Sequence, residues 1–440
     1  MAKITFMGAG STVFARNILG DAMCSPVLAE SEISLYDIDG QRLKESEVII
    51  NAINEGLGGK AKVKAYLGVE NRKEALRGSD FVINAIQVGL YDPCTIIDFE
   101  VPKRYGLRQT IADTLGIGGI MRSLRTIPVL ADFARDMEEV CPDAWFLNYT
   151  NPIATLAGYL QRYTGVKTLG LCHSVQSCSH GLLRQLGMED KLEGRRELIA
   201  GVNHMGWLLE IKDKHGNDLY PEIRRRAKEK NAAGKHWDMV RFEYINKLGY
   251  YCTESSEHNA EYNPWFIKSK YPELIDKFNI PLDEYPRRCV HQIAAWAKDY
   301  EKLAVTAKAE PHKRTQEYAA YIMESMITGT PLKLGGNMLN NGVIENLPKE
   351  ACVEVPCLID NYGATPCYVG KLPVQLAAMN MTQINVHLLT IEAAVTLKKE
   401  HIYHAAMLDP HTAAELSLDD ICSLVDDLIE AHGDWMPKYK

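Results

Sequence analysis

Short apolar runs alternate with helix-like segments through the first part of the chain. Six such runs predict strands over residues 3–7, 32–37, 62–66, 81–86, 144–149 and 167–172. Helices are predicted between them, including residues 13–23, 41–55, 121–140 and 153–163. This alternation favours a mostly parallel sheet that is covered by helices on both faces.

The pattern changes after about residue 175. Residues 200–211 read as one strand, and charged helices are predicted over 222–230 and 241–247. Residues 249–264 are polar and aromatic and lack helix signals, whereas 386–405 read as a late helix. Ser417 and Asp420 resemble a capping box for a final helix over 418–431. We therefore expect a mixed α+β second part that packs tightly on the first.

Composition narrows the classes of function. The chain has 440 residues, of which 46% are hydrophobic and 24% charged, and a net charge of −8. This charge favours neither a nucleic-acid nor an anionic membrane partner, and we find no apolar run near the roughly 20 residues that span a bilayer. The first predicted strand leaves no room for a leader. Eleven cysteines without a CxxC pair favour reduced thiols and a cytoplasmic location.

A glycine turn follows the first predicted strand. Gly8-Ala-Gly-Ser-Thr12 precedes a helix, and the second strand ends on Asp37. In a dinucleotide-binding βαβ unit, the helix N-terminus holds the pyrophosphate and the acid holds ribose hydroxyls. Asp37 favours NAD over NADP. Val13 replaces the third glycine of the fingerprint, so an ordinary tight turn is the alternative, and Asp39 is either the ribose partner or a helix cap.

Two amides lie at the ends of later strands, Asn84 and Asn148. Ligands of such sheets bind at the carboxyl ends of the strands. The predicted cofactor contacts are Gly8, Gly10, Ser11, Thr12, Asp37, Asn84 and Asn148. We thus predict an α/β fold, with a Rossmann-type NAD-binding domain over residues 1–172 and an α+β catalytic and oligomerisation domain over 173–440.

A possible metal site lies between these domains. Cys172 ends the last strand of the first domain, and His204 lies early in the second. A thiolate and an imidazole can bind a divalent metal. From spacing alone, however, a lone Cys is more often a core residue and a lone His a satisfied surface or core residue. Substrate oxygens or waters would have to complete such a two-ligand site.

Other segments are rich in groups that move protons or bind oxygen. The run from Gly249 to Tyr262 combines three tyrosines, three carboxylates and a histidine, although a solvated loop has a similar composition. Arg287 and Arg288 either bind substrate or bridge surface carboxylates. Asp113 precedes glycines at a helix start, which permit close approach of a ligand or simply form a turn.

These motifs together resemble one family along nearly the whole chain. They are Gly8-Ala-Gly-Ser-Thr-Val-Phe-Ala15, Tyr36-Asp-Ile-Asp39, Val82-Ile-Asn-Ala-Ile-Gln87, the run from Arg108 to Gly119, Asn148-Tyr-Thr-Asn-Pro152, Gly170-Leu-Cys-His-Ser174, Gly201-Val-Asn-His-Met205 and the run from Glu254 to Tyr262. The chain is similar to the NAD- and manganese-dependent glycosidases of glycoside hydrolase family four, and within it to the melibiose-type α-galactosidases.

The resemblance implies a lactate/malate-dehydrogenase-like fold and assigns roles to residues. Cys172 and His204 correspond to manganese ligands, and Tyr262 to the catalytic base. The residue after the metal-binding cysteine, here His173, corresponds to the leaving-group acid; several relatives carry Asp there, so Glu254 is the alternative. The predicted substrate contacts are Asn151, Asp113 and Arg288.

The family's reaction is hydrolysis through transient oxidation. NAD⁺ oxidises C3 of the sugar, the C2 proton becomes acidic and is removed, the C1–O bond breaks, water adds, and hydride returns to C3. We therefore expect hydrolysis of α-galactosides with NAD and Mn²⁺ by a homodimer or homotetramer. The alternatives are an α-glucosidase, 6-phospho-glycosidase or α-galacturonidase on the same scaffold, a 2-hydroxy-acid dehydrogenase, and a non-enzymatic NAD-binding protein.

Overall fold

The computed structural model describes the backbone of residues 1–440 and all side chains except those of residues 12, 13, 297, 299, 301, 304 and 307–309. Its first half follows the predicted alternation. The strands are β1 (Lys3–Met7), β2 (Glu32–Asp37), β3 (Lys62–Leu67), β4 (Phe81–Asn84), β5 (Trp145–Asn148) and β6 (Lys167–Gly170). The helices are α1 (Thr12–Cys24), α2 (Gly40–Gly56), α3 (Arg72–Leu76), α4 (Ile96–Arg104), α5 (Gly116–Val140), α6 (Ile153–Tyr163) and α7 (His173–Gln185).

The second half mixes antiparallel strands with helices. Its strands are β7 (Arg196–Val202), β8 (Met205–Lys212), β9 (Tyr251–Cys252), β10 (Leu332–Leu339), β11 (Cys352–Asp360) and β12 (Gly363–Pro366). Its helices are α8 (Tyr220–Ala233), α9 (Met239–Leu248), α10 (Ser256–Glu261), α11 (Glu273–Lys277), α12 (Glu284–Ala309), α13 (Tyr318–Thr328), α14 (Val374–Thr396), α15 (Lys399–Leu408), α16 (Pro410–Glu415) and α17 (Leu418–His432). The predicted fold class is thus confirmed, while the domain boundary after residue 172 stays a prediction.

One twelve-stranded sheet runs through both halves, in the order β3-β2-β1-β4-β5-β6-β10-β11-β7-β8-β9, with β12 beside β11. Strands β1 to β6 pair in parallel, and the pairing turns antiparallel where β10 meets β6. Apart from the edge strand β3, the parallel strands are buried on both faces, with side chains such as Phe6, Leu35 and Ile83 fully enclosed. The antiparallel strands join the parallel ones at the carboxyl end of β6, where Gly170 pairs with Asn337 of β10.

Three predictions about the second half are wrong. The strand predicted over 200–211 is a hairpin, because Asn203 and His204 form a turn between β7 and β8. The segment 249–264 contains a strand and the helix α10. The late helix predicted over 386–405 is two helices, since Leu397 takes a left-handed conformation that ends α14.

Helix caps explain several boundaries. Asp39 caps α2 by accepting hydrogen bonds from Gln41 N and Arg42 N, so the cap alternative for this residue is confirmed. Ser417 caps α17 through Asp420 N, as predicted. Among the described residues, no helix combines the length and apolar character needed to cross a bilayer.

Candidate active site

The hairpin turn between β7 and β8 positions His204. This residue has φ of 65°, a backbone conformation that costs energy in a non-glycine residue and is frequent at functional sites. Its imidazole is buried, with Nδ1 2.9 Å from the Tyr262 hydroxyl and Nε2 3.4 Å from Glu254 Oε2. One ring therefore contacts two of the predicted site residues.

Helix α10 brings three proton-carrying groups together. His258 lies within α10 and Tyr262 directly follows it, so these two side chains, four residues apart, lie on one side of the helix, while Glu254 lies just before the helix. Glu254 Oε1 lies 3.7 Å from His258 Nδ1, which Ser255 Oγ also contacts at 2.7 Å. His258, to which the sequence analysis assigned no role, thus lies beside Glu254 in this cluster.

The loop before α5 carries Asp113 into the same site. Gly118 and Gly119 permit this packing, because a Cβ at either residue would lie 2.3 Å from a carbonyl oxygen of the loop, that of Ala112 or Thr114. These glycines thus allow the start of α5 to pack on its own preceding loop, which is a role in forming the turn and leaves close approach of a ligand a prediction. Asp113 is buried and lies 3.9 Å from His258 Nε2.

Asn151 contacts Asp113 from the other side. Its Nδ2 donates to Asp113 Oδ2 at 3.2 Å, and its buried Oδ1 has no partner among the described residues. A buried acceptor without a partner is costly unless a ligand satisfies it. This pair therefore fits the predicted role in binding a sugar hydroxyl.

Burial and charge set the protonation of the site. Burial lowers the pKa of His204, but Glu254 and Cys172 outweigh it and raise the value to about 10. Burial raises the pKa of Glu254, yet the two neighbouring histidines hold it below its usual range. The pKa of Tyr262 lies well above 10 because the phenol is fully buried among carboxylates. The surroundings of His204 therefore favour a positive charge.

The donor set around His204 fits a divalent cation. Ligand atoms of Cys172, His204 and Glu254 all lie within 4.8 Å of one another, and so do those of Asp113, His204 and His258. The first group offers sulfur, nitrogen and oxygen donors, the types that a borderline divalent ion accepts. The predicted pair of ligands is thus brought together, and Glu254, the predicted alternative to His173 as leaving-group acid, lies close enough to be a third.

The glycine loop fits a dinucleotide pyrophosphate. Gly8 has φ of 80°, and a Cβ there would lie 2.9 Å from Ala85 O, so only glycine permits this turn. Ser11 precedes α1 without capping it by its side chain, which leaves N–H groups of the first turn for a phosphate. The predicted side-chain role of Thr12 lies outside the described residues.

Asp37 fixes this loop in addition to any contact with a ribose. Its Oδ2 accepts a hydrogen bond from Gly10 N at 2.6 Å, and its Oδ1 accepts one from Asp39 N at 2.9 Å. Asn84 and Asn148 are register partners on β4 and β5, and Asn84 Nδ2 donates to Asn148 Oδ1 at 2.8 Å. Asn84 Oδ1 is buried without a partner among the described residues, which fits a ligand contact at the strand ends.

His173 lies next to Cys172 but pairs with a residue that the sequence did not indicate. Its Nε2 is 2.9 Å from both carboxylate oxygens of Glu317, the residue that precedes α13. Phe14, Tyr149 and Tyr318 surround the imidazole at ring separations of 5.7–5.8 Å. Glu317 is 144 residues away in sequence, so no local pattern predicts this pair.

The two arginines are engaged with carboxylates. Arg288 contacts Glu257 and Glu284, and Arg287 also contacts Glu284. The alternative that they bridge carboxylates is thus observed, while substrate binding by Arg288 stays a prediction. Arg122, which had no predicted role, is buried and lowers the pKa of Asp113 against the opposing effect of burial.

Comparison with known proteins agrees with this site. The profile of the family 4 glycosyl hydrolases matches residues 3–188, and that of their C-terminal domain matches residues 199–412. The chain therefore belongs to family 4 of the glycosyl hydrolases, as the sequence motifs predicted. It is 60% identical over 440 residues to an alpha-galactosidase of Bacillus subtilis, with 100% of both chains covered.

Solved structures support the fold. A putative glucosidase, LplD, from Bacillus subtilis is 26% identical with a TM-score of 0.86, covering 97% of this chain and 99% of that one. A 6-phospho-alpha-glucosidase from gut microorganisms, solved with NAD and Mn²⁺, is 20% identical with a TM-score of 0.81 over 100% of both chains. A Cryptosporidium parvum malate dehydrogenase gives a TM-score of 0.54 at 14% identity, over 90% of this chain and 99% of that one, in line with the predicted dehydrogenase-like fold.

Proposed function

We propose that this protein is an NAD- and Mn²⁺-dependent α-galactosidase that hydrolyses melibiose-like α-galactosides. The observation that carries the proposal is the contact of His204 with both Tyr262 and Glu254, beside Cys172. This arrangement joins a cation site to a proton acceptor in one buried cluster. The 60% identity to an alpha-galactosidase over the whole chain supports the substrate class.

The residues divide the chemistry among them. When bound, NAD⁺ would supply reversible hydride transfer with the sugar, and Mn²⁺ would supply a Lewis acid that polarises sugar oxygens. Tyr262 removes the C2 proton, with its oxygen oriented by His204 Nδ1 at 2.9 Å. Cys172 and His204 hold the cation, and Asn151 with Asp113 orients a sugar hydroxyl.

Protonation of the leaving group falls to His173 in this proposal. Its imidazole is partly exposed, with 44% of its side-chain surface accessible, so a departing alcohol has a route to it. Glu317 orients the ring through Nε2 and leaves Nδ1 as the proton donor. Glu254 is the less favoured acid, because its contacts with His204 and His258 hold it ionised.

The charges favour a neutral sugar over an anionic one. Arg287 and Arg288 are the cations that a phosphate or a uronate would engage, and Glu257 and Glu284 already neutralise them. Asp113, ionised and buried beside Asn151, would repel a negatively charged substituent at that point. Both features weigh against the sister specificities for galacturonides and phosphorylated sugars.

A reconstitution assay tests the proposal. The chelator-treated protein, stripped of nicotinamide, is assayed on nitrophenyl α-galactoside, α-glucoside, α-galacturonide and 6-phosphorylated α-galactoside. NAD⁺ and Mn²⁺ are added separately and together. We expect hydrolysis of the α-galactoside only when both are present, without net NADH. Full activity without nicotinamide would overturn the mechanism, and preference for another glycoside would overturn the substrate class.

We further propose that the enzyme works in the cytoplasm as a homodimer or homotetramer. All eleven cysteines are free, which suits a reducing compartment. Size-exclusion chromatography with light scattering gives the oligomeric state, and a mass near 49.3 kDa would exclude the assembly.

A further inference from the structure

A buried carboxylate lies behind the metal-site residues and belongs to none of the predicted roles. Glu354 on β11 is 1% exposed, and its Oε1 accepts two hydrogen bonds. Asn203 Nδ2 donates to it at 3.1 Å and Asn337 Nδ2 at 3.0 Å. Its Oε2 has no partner among the described residues. A carboxylate so deep in a sheet is rare, because burial of an ionisable group is costly.

The two donors lead to the two predicted metal ligands. Asn203 immediately precedes His204 in the hairpin turn. Asn337 is the register partner of Gly170, and its Nδ2 also contacts Gly170 O at 3.3 Å, two residues before Cys172. Glu354 Oε1 therefore joins the backbone that carries the thiol to the turn that carries the imidazole.

Glycines make room for this bridge. Gly201 and Gly206 are the residues that follow Glu354 across the sheet in register. A Cβ on Gly206 would lie 3.3 Å from Glu354 Oε2, and a Cβ on Gly170 would lie 2.8 Å from Asn337 Cβ. Side chains at these positions would crowd the carboxylate or separate the strands. The glycines therefore leave space for the hydrogen bonds from Asn203 and Asn337 to Glu354, which we call the bridge.

We propose that Glu354 is a positioning residue that holds Cys172 and His204 in one geometry through Asn337 and Asn203. The proposal rests on the proposed function, because it takes these two residues as the Mn²⁺ ligands. Residues that orient metal ligands typically change metal affinity about 10- to 100-fold when they are removed. Burial also raises the pKa of Glu354, against its two hydrogen bonds, which favours the neutral acid that a glutamine reproduces.

Titration of the metal-free protein with Mn²⁺ alone, followed by electron paramagnetic resonance, tests the bridge. We expect Glu354→Ala to weaken binding by about tenfold or more, and Glu354→Gln, which keeps the accepting oxygen, to stay within about threefold of the wild type. Asn203→Ala removes only the His204 arm and should weaken binding less than Glu354→Ala. NAD⁺ affinity should not change, because β6 separates β10 from β5, the nearest strand with a predicted cofactor contact.

Asn340→Ala is the matched control. Asn340 is also fully buried, follows β10 and makes hydrogen bonds with Ile344, Leu347 and Pro348. Its loss should lower the melting temperature without weakening Mn²⁺ binding. Wild-type affinity in folded Glu354→Ala would overturn the proposal, and so would equal weakening in Glu354→Gln. If Glu354→Ala does not fold, wild-type affinity in Asn203→Ala overturns it.

A second measurement distinguishes failure of this proposal from failure of the proposed function. Cys172, Cys367 and Cys422 are all partly accessible, so alkylation by iodoacetamide can be followed at each in one sample by mass spectrometry. The rate at Cys172 relative to the other two should change by about threefold or more in Glu354→Ala and not in Glu354→Gln. Failure of the wild type to bind Mn²⁺ would overturn the proposed function, whereas an unchanged Cys172 rate would overturn the bridge.

Discussion

His204 Nδ1 lies 2.9 Å from the hydroxyl of Tyr262, while the other nitrogen of the same ring faces Glu254 at 3.4 Å. The proposed base is thus oriented by the residue that is also proposed to hold the cation. Tyr262 is fully buried, and burial raises its pKa well above 10. Such a phenol stays protonated and cannot accept a proton unless a nearby positive charge stabilises its anion.

Tyr262→Phe should therefore lose turnover while keeping its affinity for NAD⁺. We expect kcat to fall by about 10²- to 10⁴-fold, because the variant cannot accept the C2 proton. Hydrolysis of a 2-deuterated α-galactoside, compared with the unlabelled sugar, should show a kinetic isotope effect in the wild type. NAD⁺ affinity serves as the control and should not change. Turnover at the wild-type rate would exclude Tyr262 as the base.

Binding of Mn²⁺ should depend on pH. The pKa of His204 is raised to about 10, since Glu254 and Cys172 outweigh the lowering effect of burial. Imidazole must lose its proton to bind a metal, so protons compete with Mn²⁺ below this value. Affinity should increase with pH, by up to about tenfold per unit from this group. Calorimetry in buffers of different ionisation enthalpy would measure the proton released, and pH-independent binding without proton release would contradict the assignment.

Cys172→Ser should weaken Mn²⁺ binding by about tenfold or more, because a serine hydroxyl is a much poorer ligand than a thiolate. The melting temperature of the metal-free protein should change little, since Cys172 is only partly buried. Cys367→Ser is the matched control, as that thiol is also free and partly buried. Equal Mn²⁺ affinity in the two variants would remove Cys172 from the site.

The parallel half of the fold could be predicted well from the sequence, because each strand there is a short apolar run that is bounded by polar or turn-forming residues. Strands β1 and β2 match their predicted bounds, and the six predicted parallel strands all form. The hairpin at Asn203 and His204 was missed for a physical reason. Neither residue is a glycine or proline, and the apolar residues on both sides dominate the pattern, although Asn and His both tolerate the left-handed backbone that His204 adopts.

The candidate site divides in the same way. The pattern of apolar strands predicts that residues at the strand ends, such as Cys172, Asn148 and Asn84, lie close together, because the carboxyl ends of parallel strands meet at one edge of the sheet. The positions of Glu354 and Glu317 could not be predicted in this way. Glu354 is 151 residues from its partner Asn203, and Glu317 is 144 residues from its partner His173. Only the register of the whole sheet brings Gly170, Asn337, Glu354 and Gly201 into one row.

Gly10→Ala should impair NAD⁺ binding selectively. A Cβ at Gly10 would lie 2.8 Å from Asp37 Oδ2, the atom that accepts the Gly10 N–H, so the loop must shift. We expect NAD⁺ affinity, measured by fluorescence titration, to fall by about tenfold or more, with Mn²⁺ affinity unchanged. Gly181→Ala is the control, because it lies in α7 and its Cβ would meet nothing within 4 Å. Wild-type NAD⁺ affinity in Gly10→Ala would contradict the cofactor assignment.

The leaving-group acid can be identified by comparing two substrates. Melibiose releases a poor leaving group that needs a proton, whereas a nitrophenyl galactoside releases a stable anion. If His173 is the acid, His173→Ala should lose about 10²-fold more activity on melibiose than on the nitrophenyl substrate. Glu317→Gln, which weakens the contact at His173 Nε2, should also lose more activity on melibiose than on the nitrophenyl substrate, but by a smaller factor than His173→Ala. Glu254→Gln should instead lose activity on both substrates alike, because Glu254 contacts His204. The reverse pattern, with substrate dependence confined to Glu254→Gln, would assign the acid to Glu254.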